Sequence, residues 1–233
     1  MALEKNVLLF STGLDSYIMK KVFSFKNEEC LFVDMGTKEN EIEKERIQQY
    51  FPEVIITKVP LNSFELQNKI IPYRNHHLAL IAANYANNIY FAFTAGDTTK
   101  DKDYVFKAQM EGILNYFSLS TEKVAVQGPF LIEIPFKQFT KTELVKMYLK
   151  EGYPLRDILE QSSSCYEGHS IPCGKCRSCL RKFVAFYLNG VDISEFYLEN
   201  PADYLKNFLQ ESINKGRETE IKEIEKCINL IRL

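Results

Sequence analysis

The feature that most constrains how this chain folds is a group of four cysteines near its carboxyl end. Cys165, Cys173, Cys176 and Cys179 follow the pattern C-x7-C-G-x-C-x-x-C. Thiols this close in sequence can surround a single metal ion, and Gly174 lets the chain turn sharply between two of them. The pattern therefore predicts a metal site that folds this segment back on itself.

Zinc is the ion that we assign to this site, and an iron–sulfur cluster is the alternative that stays open. The C-x2-C-x2-C core is similar to part of a ferredoxin pattern, which favours the cluster. The seven-residue gap after Cys165 does not fit that pattern and favours zinc. Four cysteine ligands leave no open position for a catalytic water, so we expect a structural site. Cys30 and Cys227 stand apart from the array and are assigned to packing.

Apolar runs alternate with helical patterns along most of the chain. The apolar runs predict strands at residues 7–10, 30–33, 54–57, 89–93 and 130–134. Helical patterns follow them, and Thr140 and Glu143 have the spacing of a capping box at the start of a helix. Strands that alternate with helices predict an α/β fold with a mostly parallel sheet covered on both sides.

Composition and charge limit the classes of function. The net charge is −2, and no basic stretch exceeds a solvated helix face, so we expect no extended nucleic-acid interface. No apolar run approaches the roughly 20 residues that span a bilayer, so we expect no membrane association. Residues 1–6 lack the features of a signal peptide, and we therefore expect a cytoplasmic protein whose thiols stay reduced.

The first predicted strand leads into a short polar turn that suits an anion. Residues 11–16 are Ser-Thr-Gly-Leu-Asp-Ser, and they offer backbone N–H groups, hydroxyls and the positive end of a helix. Their spacing is neither that of a Walker loop nor G-x-G-x-x-G. An ordinary strand-to-helix turn, capped by Ser11 or Thr12, is the alternative. Residues 34–36 and 96–97 also follow strands, and ligands of parallel sheets gather at such ends.

Together these motifs resemble a known family. Residues 11–16 are similar to the SGGxDS signature of the PP-loop ATP pyrophosphatases, and the cysteine array resembles the zinc site of one branch, the 7-cyano-7-deazaguanine synthases (QueC family). Residues 71–75, 94–97 and 139–143 are similar, in order, to the family's VPGRN, TG and TKAE segments. The resemblance extends from about residue 7 to residue 186.

The resemblance implies a Rossmann-like PP-loop fold, of the adenine nucleotide alpha hydrolase type, with a small zinc-binding helical region at the carboxyl end. We therefore predict a nucleotide-binding α/β domain at residues 1–155. Residues 156–233 are predicted to hold the cysteine segment and the C-terminal helices. A homodimer is also implied by the resemblance.

The resemblance also implies which residues bind ATP and Mg²⁺. The predicted nucleotide-binding residues are Ser11, Thr12, Gly13, Leu14, Asp15, Ser16, Asp34 and Gly96. The predicted catalytic residues are Asp15, Arg74 and Lys141, the two cations neutralising phosphate or carboxylate charge. The predicted substrate-binding residues are Arg74, Asn75, Asp97, Asp101 and Asp103.

The family reaction converts a deazaguanine carboxylic acid into a nitrile with ammonia and ATP. A carboxylate is a poor electrophile, because expelling oxide or hydroxide is unfavourable. Transfer of AMP to an oxygen creates a leaving group that ammonia displaces to form the amide, and a second adenylation removes the remaining oxygen. Such chemistry needs no covalent nucleophile, since alignment alone contributes up to about 7–11 kcal/mol in favourable systems.

The chain departs from the family pattern at several positions. Thr12 replaces the second glycine of the signature, and Tyr73 replaces the glycine before Arg74. The family's SGYPDCR segment, which is associated with deazaguanine recognition, has no clear equivalent, and residues 101–107 occupy its place. Asp101 or Asp103 would accept hydrogen bonds from a guanine-like edge, and a solvated loop is the alternative.

Three functional interpretations follow. The first is an enzyme that makes an amide or nitrile from the deazaguanine acid. The second is a divergent relative that passes this or another acid to a different amine, on a protein or nucleic acid. The third is a non-catalytic nucleotide-binding module. A tRNA-thiolating enzyme is a lesser alternative, since a basic extension and a sulfur-carrying cysteine near the active site are not evident.

Overall fold

A computed structural model describes residues 5–67, 70–118, 126, 129–163, 165–167 and 171–231. The strands in these ranges are β1 (Asn6–Leu9), β2 (Cys30–Asp34), β3 (Ile55–Lys58), β4 (Asn88–Tyr90) and β5 (Leu131–Glu133). All of them pair in parallel in one sheet, in the order β3-β2-β1-β4-β5. The predicted α/β class and the predicted strands are confirmed, with shifts of a few residues at the ends.

The helices lie between and after the strands. They are α1 (Leu14–Val22), α2 (Lys38–Tyr50), α3 (Arg74–Ala82), α4 (Tyr104–Ser118), α5 (Lys141–Lys150), α6 (Leu155–Gln161), α7 (Arg177–Tyr187), α8 (Leu205–Asn214) and α9 (Glu218–Ile231). Short 3-10 turns occur at Asn27–Glu29, Leu61–Phe64, Lys100–Lys102, Ser194–Phe196 and Pro201–Tyr204. In the part of the chain that the structure describes, no helix combines the length and apolar character that crossing a membrane requires.

The helix that contains Lys141 begins with the predicted capping box. The Thr140 hydroxyl accepts a hydrogen bond from the Glu143 backbone N–H at 3.2 Å, and the Glu143 carboxylate accepts one from the Thr140 N–H at 2.8 Å. These two bonds satisfy donors that a helix start leaves open. The prediction is confirmed, and the cap fixes Lys141 as the first residue of α5.

Successive side chains of each strand enter two different cores, as the twofold period of a strand requires. In β1, Val7 packs with α3 and α4 on one face, whereas Leu8 packs with α1 and α5 on the other. In β2, Leu31 and Phe32 divide in the same way. A sheet buried on both faces explains why the strands of this chain are continuous apolar runs rather than alternating ones.

The cysteine segment and the C-terminal helices share the core of the α1 and α5 face. Cys173, Phe183 of α7, Phe208 of α8 and Ile224 of α9 all belong to this cluster. One hydrophobic core therefore connects the two halves of the chain, and the division at residue 155 stays a prediction.

The strand order places a crevice at one edge of the sheet. From β1 the chain proceeds to β2 on one side, and it later returns to β4 on the other side of β1. The connections on the two sides diverge above the carboxyl ends of β1 and β4, which is where open parallel sheets bind ligands. Residues 11–13 lie at this point, between β1 and α1.

Candidate functional site

A cleft of about 700 Å³ opens at the carboxyl edge of the sheet. It is lined by the turn after β1, by the region after β2, by α2 and α3, by the end of β4, and by residues of α5 and α7. Its volume is within the range of about 300–1,000 Å³ that small-molecule and cofactor sites occupy.

The turn after β1 is held by hydrogen bonds among its own residues. The Ser16 hydroxyl donates to the Gly13 carbonyl at 3.1 Å and accepts a bond from the Ser11 N–H at 3.4 Å. The Ser163 N–H donates to the Thr12 carbonyl at 2.8 Å, which ties the turn to the segment before the cysteines. Ser11, Gly13 and Ser16 line the cleft, so the turn presents an ordered set of polar groups to a ligand.

Two residues that replace family glycines have left-handed backbone conformations. Thr12 has φ of 54° and Tyr73 has φ of 57°. Glycine adopts this region without steric cost, whereas a β-branched residue rarely does. Thr12 is buried, and its hydroxyl has no hydrogen-bond partner among the described residues. The chain has therefore kept the glycine-type backbone of the turn while changing the side chain.

Asp15 and Lys141 face each other in the cleft. The Lys141 Nζ forms an ion pair with the Asp15 Oδ2. The second carboxylate oxygen, Oδ1, is buried and lacks a hydrogen-bond partner within the described ranges. Unpaired buried oxygens are costly, so this atom is suited to receive a donor or a cation from a ligand.

Asp97 is a carboxylate surrounded by cations. It accepts hydrogen bonds from Lys102 Nζ and from the Thr94 N–H, both at 3.0 Å. Burial alone would raise the pKa of Asp97, but the charges of Lys102 and Lys141 and the Thr94 bond hold it well below its usual range. Asp97 therefore stays ionised and holds Lys102 at the cleft, with the charge of Lys141 nearby.

The other predicted substrate-binding residues divide between the cleft and its support. Arg74 and Asn75 line the cleft, and the Asn75 Nδ2 donates to Asp101 Oδ2 at 2.7 Å. Asp103 Oδ1 accepts a bond from the Phe106 N–H at 2.9 Å at the start of α4. Asp101 and Asp103 are not among the described residues that line the cleft.

Three of the predicted nucleotide-binding residues also lie beside the cleft rather than in its lining, namely Thr12, Asp34 and Gly96. Asp34 accepts a hydrogen bond from the Gly36 N–H at 3.0 Å and pairs with Lys44 at 3.1 Å. The Gly96 carbonyl accepts a bond from Arg181 Nη2 at 3.3 Å. Asp34 is the last residue of β2 and Gly96 comes after β4, so both lie towards the edge where the cleft opens.

Sequence analysis missed several residues of the cleft, among them Glu43, Arg181 and Lys182. Lys182 is buried and donates to the Ser162 hydroxyl at 2.8 Å. Burial, together with the charge of Arg46, lowers the pKa of Lys182 to about 7. Desolvation raises the pKa of Glu43 to about 8. Arg181 and Lys182 come shortly after Cys179 in the sequence. Their proximity to the expected metal site is the sequence feature that could have indicated them.

The four cysteines come together as the spacing predicts, with all their sulfur atoms within 4.8 Å of one another. The Cys179 sulfur lies 3.9 Å from that of Cys173 and 3.4 Å from that of Cys176. Zinc–sulfur bonds of about 2.3 Å in a tetrahedron separate the sulfur atoms by about 3.8 Å. These distances are compatible with a zinc ion, and they are too long for disulfides.

The segment before α8 packs against the cysteine cluster and supports it. Gly174 has φ of 83°, and a Cβ atom at this position would lie 1.9 Å from the Glu199 carbonyl oxygen. The Tyr197 hydroxyl donates to the Cys179 carbonyl at 3.3 Å. A side chain at position 174 would therefore meet both backbone strain and a steric clash, and only glycine fits.

Comparison with known proteins agrees with this geometry. Residues 51–190 match the family model described as Queuosine biosynthesis protein QueC. The chain belongs to the QueC family. The matched residues include Arg74, Asp97, Lys141 and the cysteine array, whereas the turn at residues 11–16 precedes them. The assignment of that turn therefore depends on its motif and geometry.

Curated relatives of this QueC family chain are named 7-cyano-7-deazaguanine synthase. The protein of Methanosarcina mazei is 33% identical over 130 residues, which are 52% of this chain and 50% of the relative. The protein of Archaeoglobus fulgidus is 30% identical over 55% of this chain and 53% of its own length. The protein of Thermoplasma volcanium is 28% identical over 63% of this chain and 60% of its own length. The chain thus spans about half the length of the curated relatives that it matches.

Proposed function

We propose that this protein is an ATP-dependent carbon–nitrogen ligase that adenylates 7-carboxy-7-deazaguanine. Ammonia then converts the activated acid to the amide and, after a second adenylation, to the nitrile 7-cyano-7-deazaguanine, with release of AMP and pyrophosphate. The observation that carries this proposal is the placement of Lys141 and Asp15 across the cleft beside the phosphate-type turn, in a chain of the QueC family.

In this proposal the turn binds the triphosphate of ATP. The N–H groups and hydroxyls of residues 11–16, at the start of α1, supply donors and a positive helix end for phosphate oxygens. The unpartnered Asp15 Oδ1 is the oxygen that would contact Mg²⁺. A bound Mg²⁺ ion would neutralise phosphate charge, and oxygen ligands such as this carboxylate suit it.

The first chemical step joins the acid to AMP. A carboxylate oxygen of the acid attacks the α-phosphorus, the bond to the β-phosphate bridging oxygen breaks, and pyrophosphate leaves. Lys141 and Arg74 line the cleft, and we propose that their positive charges stabilise the negative charge on the α-phosphate and on the acid. Ammonia then attacks the acyl carbon and AMP leaves with the former carboxylate oxygen.

The second step removes the remaining oxygen. The amide oxygen attacks the α-phosphorus of another ATP, the bond to the β-phosphate bridging oxygen breaks, and pyrophosphate leaves. Loss of AMP with two N–H protons then leaves the carbon–nitrogen triple bond. The acid and ammonia are small-molecule partners in this scheme. We further propose that the protein is cytoplasmic, where a reducing environment keeps the thiols available for zinc. The homodimer implied by the resemblance is also part of the proposal.

A divergent enzyme that couples the acid to another amine is the second candidate. Asp101 is bonded to Asn75, and Asp103 caps α4, so both carboxylates expected to recognise a guanine-like edge have protein partners. That arrangement favours a change in how the substrate is recognised. The adenylation step is common to both candidates.

The test is pyrophosphate release from ATP in the presence of 7-carboxy-7-deazaguanine, with mass spectrometry of the product when ammonia is present. We expect acid-stimulated release, and a Lys141→Met variant should lose at least about 100-fold in rate. Lys146→Met, an exposed change on the same helix, is the matched control and should keep the wild-type rate. ATP that binds without turnover for any acid would rule out both candidates.

A further inference from the structure

The C-terminal helix α9 carries a buried carboxylate that meets arginines of α7. Glu220 Oε1 accepts a hydrogen bond from Arg177 Nη2 at 2.6 Å, and Oε2 accepts one from Arg181 Nε. The Ser212 hydroxyl donates to Oε1 at 2.7 Å, and Arg217 Nη1 lies 3.6 Å away. Both oxygens of the buried carboxylate are therefore occupied, Oε1 by several donors and Oε2 by Arg181, and charge-assisted bonds of this kind hold the side chain firmly.

The network holds Arg181 at the wall of the cleft. Besides its bond to Glu220, Arg181 donates from Nη2 to the Gly96 carbonyl at 3.3 Å. Gly96 follows β4 and precedes Asp97, so the arginine lies on the β4 side of the site. The Arg181 side chain is 16% exposed and lines the cleft together with Lys141. Two protein acceptors thus fix its guanidinium plane.

The local charge balance leaves room for an anion. Three guanidinium groups, those of Arg177, Arg181 and Arg217, surround the single Glu220 carboxylate in the described residues. A guanidinium has five N–H donors, and the two contacts of Arg181 with described residues use only part of them. Its planar fork suits the bidentate binding of a carboxylate or phosphate.

From these contacts we infer that Arg181 binds the oxyanion of the acid substrate on the β4 side of the cleft, and that Glu220 positions it. The identity of the acid rests on the proposed function. The turn after β1 would then take the triphosphate, and Arg181 and Lys141 would bring the acid carboxylate next to it. Through Glu220, helix α9 becomes part of the site although it lies far along the chain.

The test compares ligand binding in Arg181→Gln, Arg181→Lys and Glu220→Gln, with Glu225→Gln, an exposed change on α9, as the matched control. Titration calorimetry would measure the affinities for 7-carboxy-7-deazaguanine, for inorganic phosphate as a simple oxyanion, and for ATP. We expect Arg181→Gln and Glu220→Gln to weaken acid binding by about tenfold or more, with ATP affinity within about twofold. The acid affinity of Arg181→Lys should lie between those of these variants and the wild type, because lysine keeps the positive charge but lacks the planar pair of N–H donors.

The inference would be overturned if Arg181→Gln kept the wild-type affinity for the acid, or if it lost affinity for ATP alone. A wild-type protein that binds neither the acid nor phosphate would also overturn it. If Glu220→Gln fails to fold, as judged by thermal unfolding and metal content, Glu220→Asp replaces it in the comparison. Acid binding that depends on Arg181 without any pyrophosphate release would refute the proposed function and leave the inference standing.

Discussion

At the residue scale, the turn after β1 depends on the backbone conformation of Thr12. A left-handed non-glycine residue costs about 1–3 kcal/mol unless the surrounding structure compensates. The buried Thr12 hydroxyl adds to this cost, since it lacks a partner among the described residues. The bond from Ser163 to the Thr12 carbonyl is one contact that holds the strained residue in place.

We expect Thr12→Gly to stabilise the protein by about 1 kcal/mol, because relief of strain outweighs the greater freedom that glycine gives the unfolded chain. Chemical denaturation would measure the change in the free energy of unfolding. Tyr73→Gly is the matched control, since Tyr73 has the same backbone conformation but is exposed. A destabilised Thr12→Gly beside a stabilised Tyr73→Gly would show that the Thr12 side chain supports the turn.

The residue scale also shows where prediction from the sequence ends. The motif at residues 11–16 and the start of α5 identify Asp15 and Lys141, because short-range rules govern a turn and a helix cap. Arg181 and Glu220 could not be paired in this way. Their contact depends on how α9 packs against α7, and the sequences of the two helices do not indicate that packing.

At the element scale, the cysteine segment fixes the start of α7. Cys176 precedes the helix and Cys179 lies in its first turn, so a metal ion bound by both would anchor the end that carries Arg181. The sulfur atoms lie within 4.8 Å of one another, and a metal ion bound among them would stabilise this short segment.

Cys176→Ser should lose the metal and lower the stability of the fold, because a structural zinc ion contributes about 10–16 kcal/mol of binding free energy in small peptides. Elemental analysis would report the metal, and thermal unfolding would report the stability. Cys227→Ala, a buried cysteine outside the array, is the matched control and should retain the metal. A stable, metal-free Cys176→Ser with normal activity would contradict the structural role, and iron with sulfide in the wild type would contradict the zinc assignment.

The strands and most of the helices could be predicted, because their apolar runs and periodicity are local. The alanine-containing pattern at residues 76–87 predicts a helix, and the structure has α3 at Arg74–Ala82, so Arg74 is its first residue. Helices α6 and α7 were not predicted individually. Helix α7 is amphipathic, but its segment was assigned to the cysteine array, and α6 has only seven residues and follows a proline. The amphipathic pattern at residues 218–233 predicts the last helix, which the structure has at Glu218–Ile231, and residues 232–233 lie outside the described ranges.

At the scale of the whole molecule, the strand order brings distant segments to one cleft. The turn after β1, the residues after β4, the start of α5 and the helix after the cysteines all meet at the carboxyl edge of the sheet. The α/β pattern predicts that edge, but it does not predict that Glu220 of α9 contacts Arg181 at the wall of the cleft. The cysteine segment and the turn after β1 thus line the same cleft.

The most direct test of acid adenylation uses 7-carboxy-7-deazaguanine labelled with ¹⁸O in its carboxylate. If an acid oxygen attacks the α-phosphorus, the AMP released in the presence of ammonia must carry ¹⁸O from the acid, whatever amine product forms. We expect labelled AMP by mass spectrometry, in amounts equal to the pyrophosphate released. Unlabelled AMP, or ADP in place of AMP, would contradict the proposed chemistry.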